Sequence, residues 1–145
     1  MHAVVQRVTK ASVIVDGLEV SNINHGLCVY LGVARGDTID EVIYIAKKIA
    51  NLRIFENEEG KMSNSVLDVS GEVLLISQFT LLANCNKGNR PDFTNAEKPE
   101  VANELYIRVG SELEKLGLKV KYGQFGAHMT IPQVNDGPVT ILLSR

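Results

Sequence analysis

The spacing of apolar positions changes along the first third of the chain. From Ala3 to Val20 apolar and polar residues alternate, and Asp16-Gly17 interrupts the alternation with a dipeptide typical of hairpin turns. The run from Leu27 to Val33 is almost continuously apolar, as in a strand covered on both faces. The pattern predicts two or three antiparallel strands followed by a buried strand.

Two later stretches show the period of a helix. Thr38 and Glu41 match the capping box that opens a helix, and apolar residues then recur at helical spacing to about residue 51. In the second stretch Pro99 stands in the first turn and Gly117 ends the pattern. Its predicted apolar stripe consists of Ala102, Leu105, Tyr106, Val109, Leu113 and Leu116. We therefore expect two amphipathic helices.

The remaining apolar segments predict strands around these helices. The expected strands are Leu52–Phe55, Glu72–Leu82, 118–123, 127–134 and Val139–Leu143. Ala83 to Ala96 is polar and predicts a loop, and Asp136-Gly137-Pro138 is good turn chemistry. Because there is no repeat, linker or break in composition, residues 1–145 are predicted to form a single α/β domain with two main helices.

Charge and composition exclude several classes of protein. The chain has 15 basic and 17 acidic residues, a net charge of −2, so it lacks the positive field of a general duplex binder. Cys28 and Cys85 form no CxxC motif, and His2, His25 and His128 share no metal-like spacing, so no metal or other cofactor is expected. No signal peptide or membrane span is recognised, and we expect a cytoplasmic protein.

Two segments place polar groups beside apolar runs. In the first, Ser77-Gln78-Phe79-Thr80-Leu81, a predicted buried strand ends in hydroxyls and an amide. Such groups cost roughly 1–3 kcal/mol each when they are buried without partners. They either satisfy the backbone at the strand end or face a pocket. In a pocket, Ser77 or Thr80 would offer a hydroxyl, Gln78 an amide, and backbone N–H groups could polarise a carbonyl.

The second segment is Asn135-Asp136-Gly137-Pro138-Val139-Thr140, which joins the predicted turn to the last strand. Taken alone, it is adequately explained as a turn. X-Pro bonds are cis in only about 5–6% of cases in folded proteins. A cis Gly137-Pro138 bond would aim two successive carbonyls in one direction as rigid acceptors.

Together the two segments resemble the two signature motifs of the D-aminoacyl-tRNA deacylases. The resemblance extends over the whole chain through Ala3–Val8, Asn51–Phe55, Gly60–Met62, Lys87–Pro91 and Phe125–Met129. It implies a β-rich domain of two sheets backed by helices, a β/β/α layering. It also implies a homodimer without metal or cofactor that hydrolyses the ester joining a D-amino acid, or mischarged glycine, to the terminal adenosine of tRNA.

The resemblance also implies roles for individual residues. Ser77, Gln78, Phe79 and Thr80 would form the catalytic wall of the pocket. Gly137 and Pro138 would be a cis dipeptide that reaches into the pocket of the other subunit, where an L side chain would clash with fixed backbone and a D side chain would point outward. Residues that would bind substrate or support the interface are Arg7, Leu81, Met129 and Asn135.

The catalytic mechanism stays open between two alternatives. Thr80 as a nucleophile needs an activating base, and no histidine or lysine stands out near it in the sequence. The preferred alternative is that the 2′-hydroxyl of the terminal ribose assists water. At position 128 this chain has His where the family usually carries Asp, and we expect His128 to have no catalytic role.

Two other classes of function are compatible with these residues. One is a small esterase or peptidase that uses Ser77 or Thr80 on free substrates, and the other is a non-catalytic nucleic-acid or interaction module. For the resembled function, the substrate partner is the acceptor end of tRNA. Candidate phosphate contacts are Arg53, Lys61, Lys87 and Arg90.

Overall fold

The structure, a computed structural model, describes residues 1–145. It contains eight strands, two α-helices and one 3₁₀ helix at Phe79–Leu82. The strands are β1 (His2–Val15), β2 (Leu18–Ile23), β3 (Gly26–Gly32), β4 (Phe55–Glu56), β5 (Met62–Asn64), β6 (Glu72–Ser77), β7 (Lys119–Tyr122) and β8 (Gln133–Ser144). The helices are α1 (Ile39–Asn51) and α2 (Pro99–Lys115), and neither helix is long and apolar enough to cross a membrane.

The main sheet is built around the long strand β1. Five strands run in the order β2-β1-β3-β6-β7, and β8 also pairs with β1 to complete six. β1 is antiparallel to β2, β3 and β8, whereas β3, β6 and β7 are mutually parallel. Residues 2–8 of β1 pair with β3 and residues 11–15 pair with β2, so β1 passes from one part of the sheet to another. β4 and β5 form a separate two-stranded sheet.

Two apolar cores lie on opposite faces of β3 and β6. On one face Leu27 and Leu75 belong to the larger core, which also contains the buried residues of both helices. On the other face Cys28 and Leu74 pack against the end of β1 and against Ile23 of β2. This arrangement of helices, central strands and a second strand layer confirms the expected β/β/α fold.

Local signals at the first hairpin and at the helix ends were predicted correctly. Asp16 and Gly17 have φ values of +51° and +80°, the left-handed conformations that a two-residue hairpin turn requires. Thr38 caps α1 within a complete capping box, and Pro99 is in the first turn of α2. The predicted stripe of α2 is wrong at Leu116, which is the C-cap residue and is 38% exposed.

The predicted strand Glu72–Leu82 is too long. β6 ends at Ser77, and the chain turns into the 3₁₀ helix, where Leu81 N–H donates to the Gln78 carbonyl at 3.2 Å. The parallel neighbour β3 ends at Gly32, so no strand remains beside residues 79–82 to continue the ladder. The predicted strand Leu52–Phe55 is also shifted, since β4 begins only at Phe55.

The C-terminal strands differ most from the prediction. Residues 127–132 contain no regular strand and only Thr130 forms an isolated bridge, with Ile14. β8 instead runs unbroken from Gln133 to Ser144 and includes the supposed turn at Gly137-Pro138. Proline is tolerated here because β8 pairs with β1 alone and is irregular beside it, and a bulged edge strand does not need every N–H group.

Candidate active site

A largely apolar cavity of about 480 Å³ opens where the parallel strands end. Its walls come from the ends of β3 and β6, the start of α2 and the loop that follows β7. The lining residues are Leu31, Val33, Ser77, Gln78, Phe79, Ala96, Glu97, Pro99, Ala102, Tyr106, Phe125, Gly126, Ala127, His128, Met129 and Ile131. Clefts of this size and character are typical of small-molecule sites.

The end of β6 is held against β3 by backbone contacts. Gln78 N–H donates to the Leu31 carbonyl at 2.8 Å. Gly32, the last residue of β3, packs against this turn. A β-carbon at position 32 would come within 2.8 Å of the Gln78 carbonyl oxygen and would also contact Leu82. The wall formed by Ser77–Phe79 therefore depends on the absence of a side chain at position 32.

Phe79 and the backbone around it are available to a ligand. The Phe79 side chain is 57% exposed and is steadied by an edge-on contact with Phe93, with ring centroids 5.0 Å apart. Phe79 and Thr80 form the first turn of the 3₁₀ helix, where N–H groups have no acceptor within the helix. These groups can polarise an ester carbonyl that reaches this point.

Thr80 is not placed as an activated nucleophile. Its hydroxyl accepts a hydrogen bond from the side-chain amide of Gln78, which cannot take up a proton. Thr80 is exposed and does not line the cavity, whereas its neighbours Ser77, Gln78 and Phe79 do. The arrangement therefore offers positioning and polarisation and lacks the base that activates a hydroxyl.

Tyr106 fixes helix α2 against the sheet at the back of the cavity. Its hydroxyl donates to the Leu75 carbonyl at 2.7 Å, and its ring lies 5.9 Å from the ring of Phe125. Burial raises the pKa of Tyr106, so the hydroxyl keeps its proton and acts as a structural donor.

Glu97 is the single acidic residue that lines the cavity. Hydrogen bonds from the backbone N–H groups of Lys98 and Gly36 lower the pKa of Glu97, so its charge persists at neutral pH. No cluster of three or more His, Cys, Asp or Glu side chains is placed to hold a metal ion.

A bulge in β8 carries the second sequence segment. Gln6 pairs with Thr140 and Val8 pairs with Asn135, so the single residue Arg7 of β1 lies opposite four residues of β8. The extra length of β8 places Gly137 and Pro138 on an exposed projection, and the peptide bond between them is cis. We call residues 136–139 the β8 bulge; none of them lines the cavity of the same chain.

The buried side chain of Arg7 holds the base of the bulge. Its Nε lies 3.3 Å from the Asp136 carbonyl oxygen and 3.1 Å from Asp136 Oδ2, and another guanidinium nitrogen donates to the Ile54 carbonyl at 2.6 Å. A β-carbon on Gly137 would lie 3.1 Å from the guanidinium. Through these contacts Arg7 supports the bulge of its own chain, and its expected role at an interface stays a prediction.

Comparison with known proteins decides the family. Residues 4–144 match the family model described as D-Tyr-tRNA(Tyr) deacylase. The chain belongs to the D-aminoacyl-tRNA deacylase family. Proteins of this name are hydrolases that act on aminoacyl-tRNA, so this deacylase family member is an enzyme of that class.

Relatives of the deacylase match it over nearly its whole length. The D-aminoacyl-tRNA deacylase of Halalkalibacterium halodurans is 52% identical, with 99% of this chain and 98% of the relative covered. The deacylase of Thermosipho africanus is 49% identical, with 99% and 96% covered.

Two solved structures share the fold. One, entitled "c-Myc DNA Unwinding Element Binding Protein", has a TM-score of 0.94 at 48% identity and covers 100% of this chain and 99% of that chain. The other, described as a "probable eukaryotic D-amino acid tRNA deacylase", has a TM-score of 0.82 at 16% identity and covers 98% and 97%.

The deacylase structure places most of the predicted site residues in two groups, and Thr80 and Leu81 belong to neither. Ser77, Gln78, Phe79 and Met129 line the cavity, together with His128. Leu81 turns away from the cavity toward a polar groove, and the residues at the β8 bulge lie apart from it. The bulge group consists of Arg7, Asn135, Gly137 and Pro138.

Among the cavity residues that sequence reasoning missed, three add an aromatic ring or a carboxylate to the wall: Glu97, Tyr106 and Phe125. Tyr106 was read as part of the apolar stripe of α2, and Phe125 was noted only within the resemblance. Glu97 comes just before α2, and the Pro99 signal that marks the start of this helix was the one clue to its position.

We expect Gly32→Ala to damage this wall. The added methyl group must displace the Gln78 carbonyl, so unfolding in urea should show a loss of about 1–3 kcal/mol and the hydrolysis rate should fall with it. Gly123→Ala is the matched control for stability, because the one close neighbour of its β-carbon would be the flexible Met129 sulfur, at 3.0 Å, while Ile76 would lie at ordinary contact distances of 3.6 and 3.7 Å. Equal stability of the two variants would contradict this description of the wall.

Proposed function

We propose that the protein hydrolyses the ester of D-aminoacyl-tRNA, and of mischarged glycyl-tRNA, in the cytoplasm and releases the amino acid and the tRNA. The observation that carries this proposal is the cavity beside residues 77–79 in a chain of the deacylase family. The cavity combines an apolar interior with backbone donors at one edge, which suits an aminoacyl ester attached to a nucleoside.

The terminal adenosine would occupy the apolar part of the cavity. Phe79 offers an exposed ring to the base or ribose, and base–aromatic stacking contributes about 1–3 kcal/mol per base. The ester carbonyl would then lie at the first turn of the 3₁₀ helix, near the N–H groups of Phe79 and Thr80. The candidate phosphate contacts Arg53, Lys61, Lys87 and Arg90 are all exposed, as contacts to tRNA phosphates require, although Arg53 Nε also donates to the Ser63 carbonyl at 2.6 Å.

The chiral selector would come from a second copy of the chain. Gly137 and Pro138 are exposed and lie away from the cavity of their own chain, so they can complete a cavity only in a partner subunit. β8 is an edge strand with exposed apolar side chains, including Leu142 at 76% and Val134 at 44% exposure. An exposed apolar edge strand is a favourable surface for a homodimer.

Main-chain atoms would then discriminate by exclusion. Carbonyl groups held beside the α-carbon leave no room for an L side chain, whereas a D side chain points out of the site. Glycine has no side chain to exclude, which accounts for the proposed activity on glycyl-tRNA. Because the selector uses no side chain of its own, the identity of the D-amino acid has little influence.

Hydrolysis would rely on substrate assistance. Thr80 has no base that could activate it, so we assign the activation of water to the 2′-hydroxyl of the terminal ribose. The protein would contribute orientation and carbonyl polarisation. The alternative mechanism uses Thr80 as the nucleophile. The alternative function is that of an esterase acting on free substrates.

A second candidate function comes from the DNA-binding name of the structure that is 48% identical. A net charge of −2 disfavours general duplex binding, so we rank this function below hydrolysis.

The direct test compares D- and L-tyrosyl-tRNA. Catalytic amounts of the protein should deacylate the D substrate at least about 100-fold faster than the L substrate, because only the L side chain meets the selector. Release of radiolabelled tyrosine measures both rates, and free D-tyrosine ethyl ester serves as the control for a simple esterase. Equal rates on the two tRNAs, or no turnover, would sink the proposal.

Thr80→Val separates the two mechanisms. Valine keeps the shape of threonine and removes the hydroxyl, so single-turnover hydrolysis should retain more than about a tenth of the wild-type rate if the residue only supports Gln78. Removal of a true nucleophile costs about 10⁴-fold or more. A loss of that size with substrate binding intact would establish Thr80 as the nucleophile and overturn the substrate-assisted account.

A further inference from the structure

The two residues that flank the β8 bulge are joined by their side chains. Asn135 Nδ2 donates to Thr140 Oγ1 at 3.4 Å, and Asn135 Oδ1 accepts a hydrogen bond from the Val139 N–H at 3.3 Å. We call Asn135 and Thr140, where the bulge leaves and rejoins the regular strand, the neck of the bulge. The two contacts join its two sides. The Val139 contact also ties a backbone group inside the bulge to one of the flanking residues.

A line of side-chain hydrogen bonds connects this neck to the centre of the sheet. Tyr30 OH donates to Gln133 Oε1 at 3.3 Å, Gln133 Nε2 donates to Gln6 Oε1 at 2.6 Å, and Gln6 Nε2 donates to Thr140 Oγ1 at 3.2 Å. Every donor faces the next acceptor in the same direction, so both glutamine amides have a defined orientation. We call Tyr30, Gln133, Gln6, Thr140 and Asn135 the neck clasp.

The far end of the neck clasp is anchored firmly. Tyr30 lies on β3, which is paired with β1 on one side and with β6 on the other. Burial raises the pKa of Tyr30, and the neighbouring Cys28 adds to the shift, so the hydroxyl keeps its proton and its role as donor.

The neck clasp and Arg7 hold the bulge from opposite faces. Gln6 and Arg7 are successive residues of β1, so their side chains project to opposite sides of the sheet. Arg7 grips Asp136 on the buried side, while Gln6 reaches Thr140, its last regular partner before the bulge, on the other side. Among the clasp residues, the family resemblance implies an individual role for Asn135 alone, as a residue that binds substrate or supports the interface.

We propose that the neck clasp positions Gly137 and Pro138 and thereby sets the discrimination between D and L substrates. This inference rests on the proposed function of the bulge as the chiral selector. Gln6, Thr140 and Asn135 are positioning residues in this account, because they act on the substrate only through the backbone they hold. Loosening the neck gives the selector carbonyls freedom to retreat from an L side chain.

Thr140→Val tests the inference with little change of shape. The variant removes the acceptor shared by Gln6 and Asn135, and the ratio of kcat/KM for D- over L-tyrosyl-tRNA should fall about 5–30-fold. The fall should come from faster hydrolysis of the L substrate. Thr9→Val is the matched control, since Thr9 is exposed on β1 and its side chain makes no hydrogen bond; it should leave the ratio unchanged.

Gln6→Leu and the double variant extend the test. If both residues act through one clasp, combining Gln6→Leu with Thr140→Val should lower the ratio no further than either change alone. An unchanged ratio in both single variants would overturn the inference. So would additive losses in the double variant, since they indicate independent effects on folding.

Hydrogen exchange at the Val139 amide, measured by NMR, tests the positioning role of the clasp without any measurement of catalysis. Exchange at Val139 should quicken in Thr140→Val and stay constant in Thr9→Val. If the wild-type protein does not distinguish D-tyrosyl-tRNA from L-tyrosyl-tRNA, the proposed function fails. The exchange rate of Val139 then still tests whether the clasp side chains hold the backbone of the bulge. Unchanged exchange at Val139 in Thr140→Val would overturn the positioning role.

Discussion

The pairing of β1 with β8 is the constraint on which the rest of the site depends. Between two regular pairs, Arg7 alone lies opposite four residues of β8. A buried guanidinium is costly unless it is fully satisfied, and Arg7 meets this need with the carbonyls of Ile54 and Asp136 and the Asp136 carboxylate. The same contacts that satisfy a buried charge therefore fix an irregular stretch of backbone at the protein surface.

The proposed function divides the task between two structures at different places in the fold. The cavity lies where parallel strands end and the chain turns into a 3₁₀ helix, whose first backbone N–H groups have no acceptor within the helix. The β8 bulge lies on an edge strand and presents Gly137 and Pro138 outward. In the proposed account a dimer joins the two, so each part can be rigid without closing off the other. In the same account both parts would work mainly through main-chain atoms, which would explain why few side chains look catalytic.

Sequence alone predicted the parts of the fold that follow local rules. The Asp16-Gly17 hairpin and the capping box of α1 were recognised because short-range chemistry specifies them. The strand that contains Gly137-Pro138 was not recognised from the sequence. Extended backbone is possible there only because β8 pairs with β1 and Arg7 supports it. The end of β6 at Ser77 was missed for a similar reason, since it is set by where the neighbouring β3 ends.

The candidate site was predictable only in part for the same physical reason. The motif around Ser77 marked one wall of the cavity, because polar residues at the end of an apolar strand stand out in a sequence. Glu97 and Tyr106 come from a distant helix and its preceding loop, and only the packing of α2 on the sheet brings them to the cavity.

The central claim, that the selector acts in the cavity of a partner subunit, is tested most directly with a mixed dimer. One subunit carries Phe79→Ala in its cavity and the other carries Gly137→Val in its bulge, and differently tagged chains allow the mixed dimer to be isolated. The account predicts the wild-type preference for D- over L-tyrosyl-tRNA, because the intact cavity meets the intact bulge of its partner. The Gly137→Val homodimer should discriminate poorly between the two substrates. If the mixed dimer discriminates as poorly as that homodimer, the claim is contradicted.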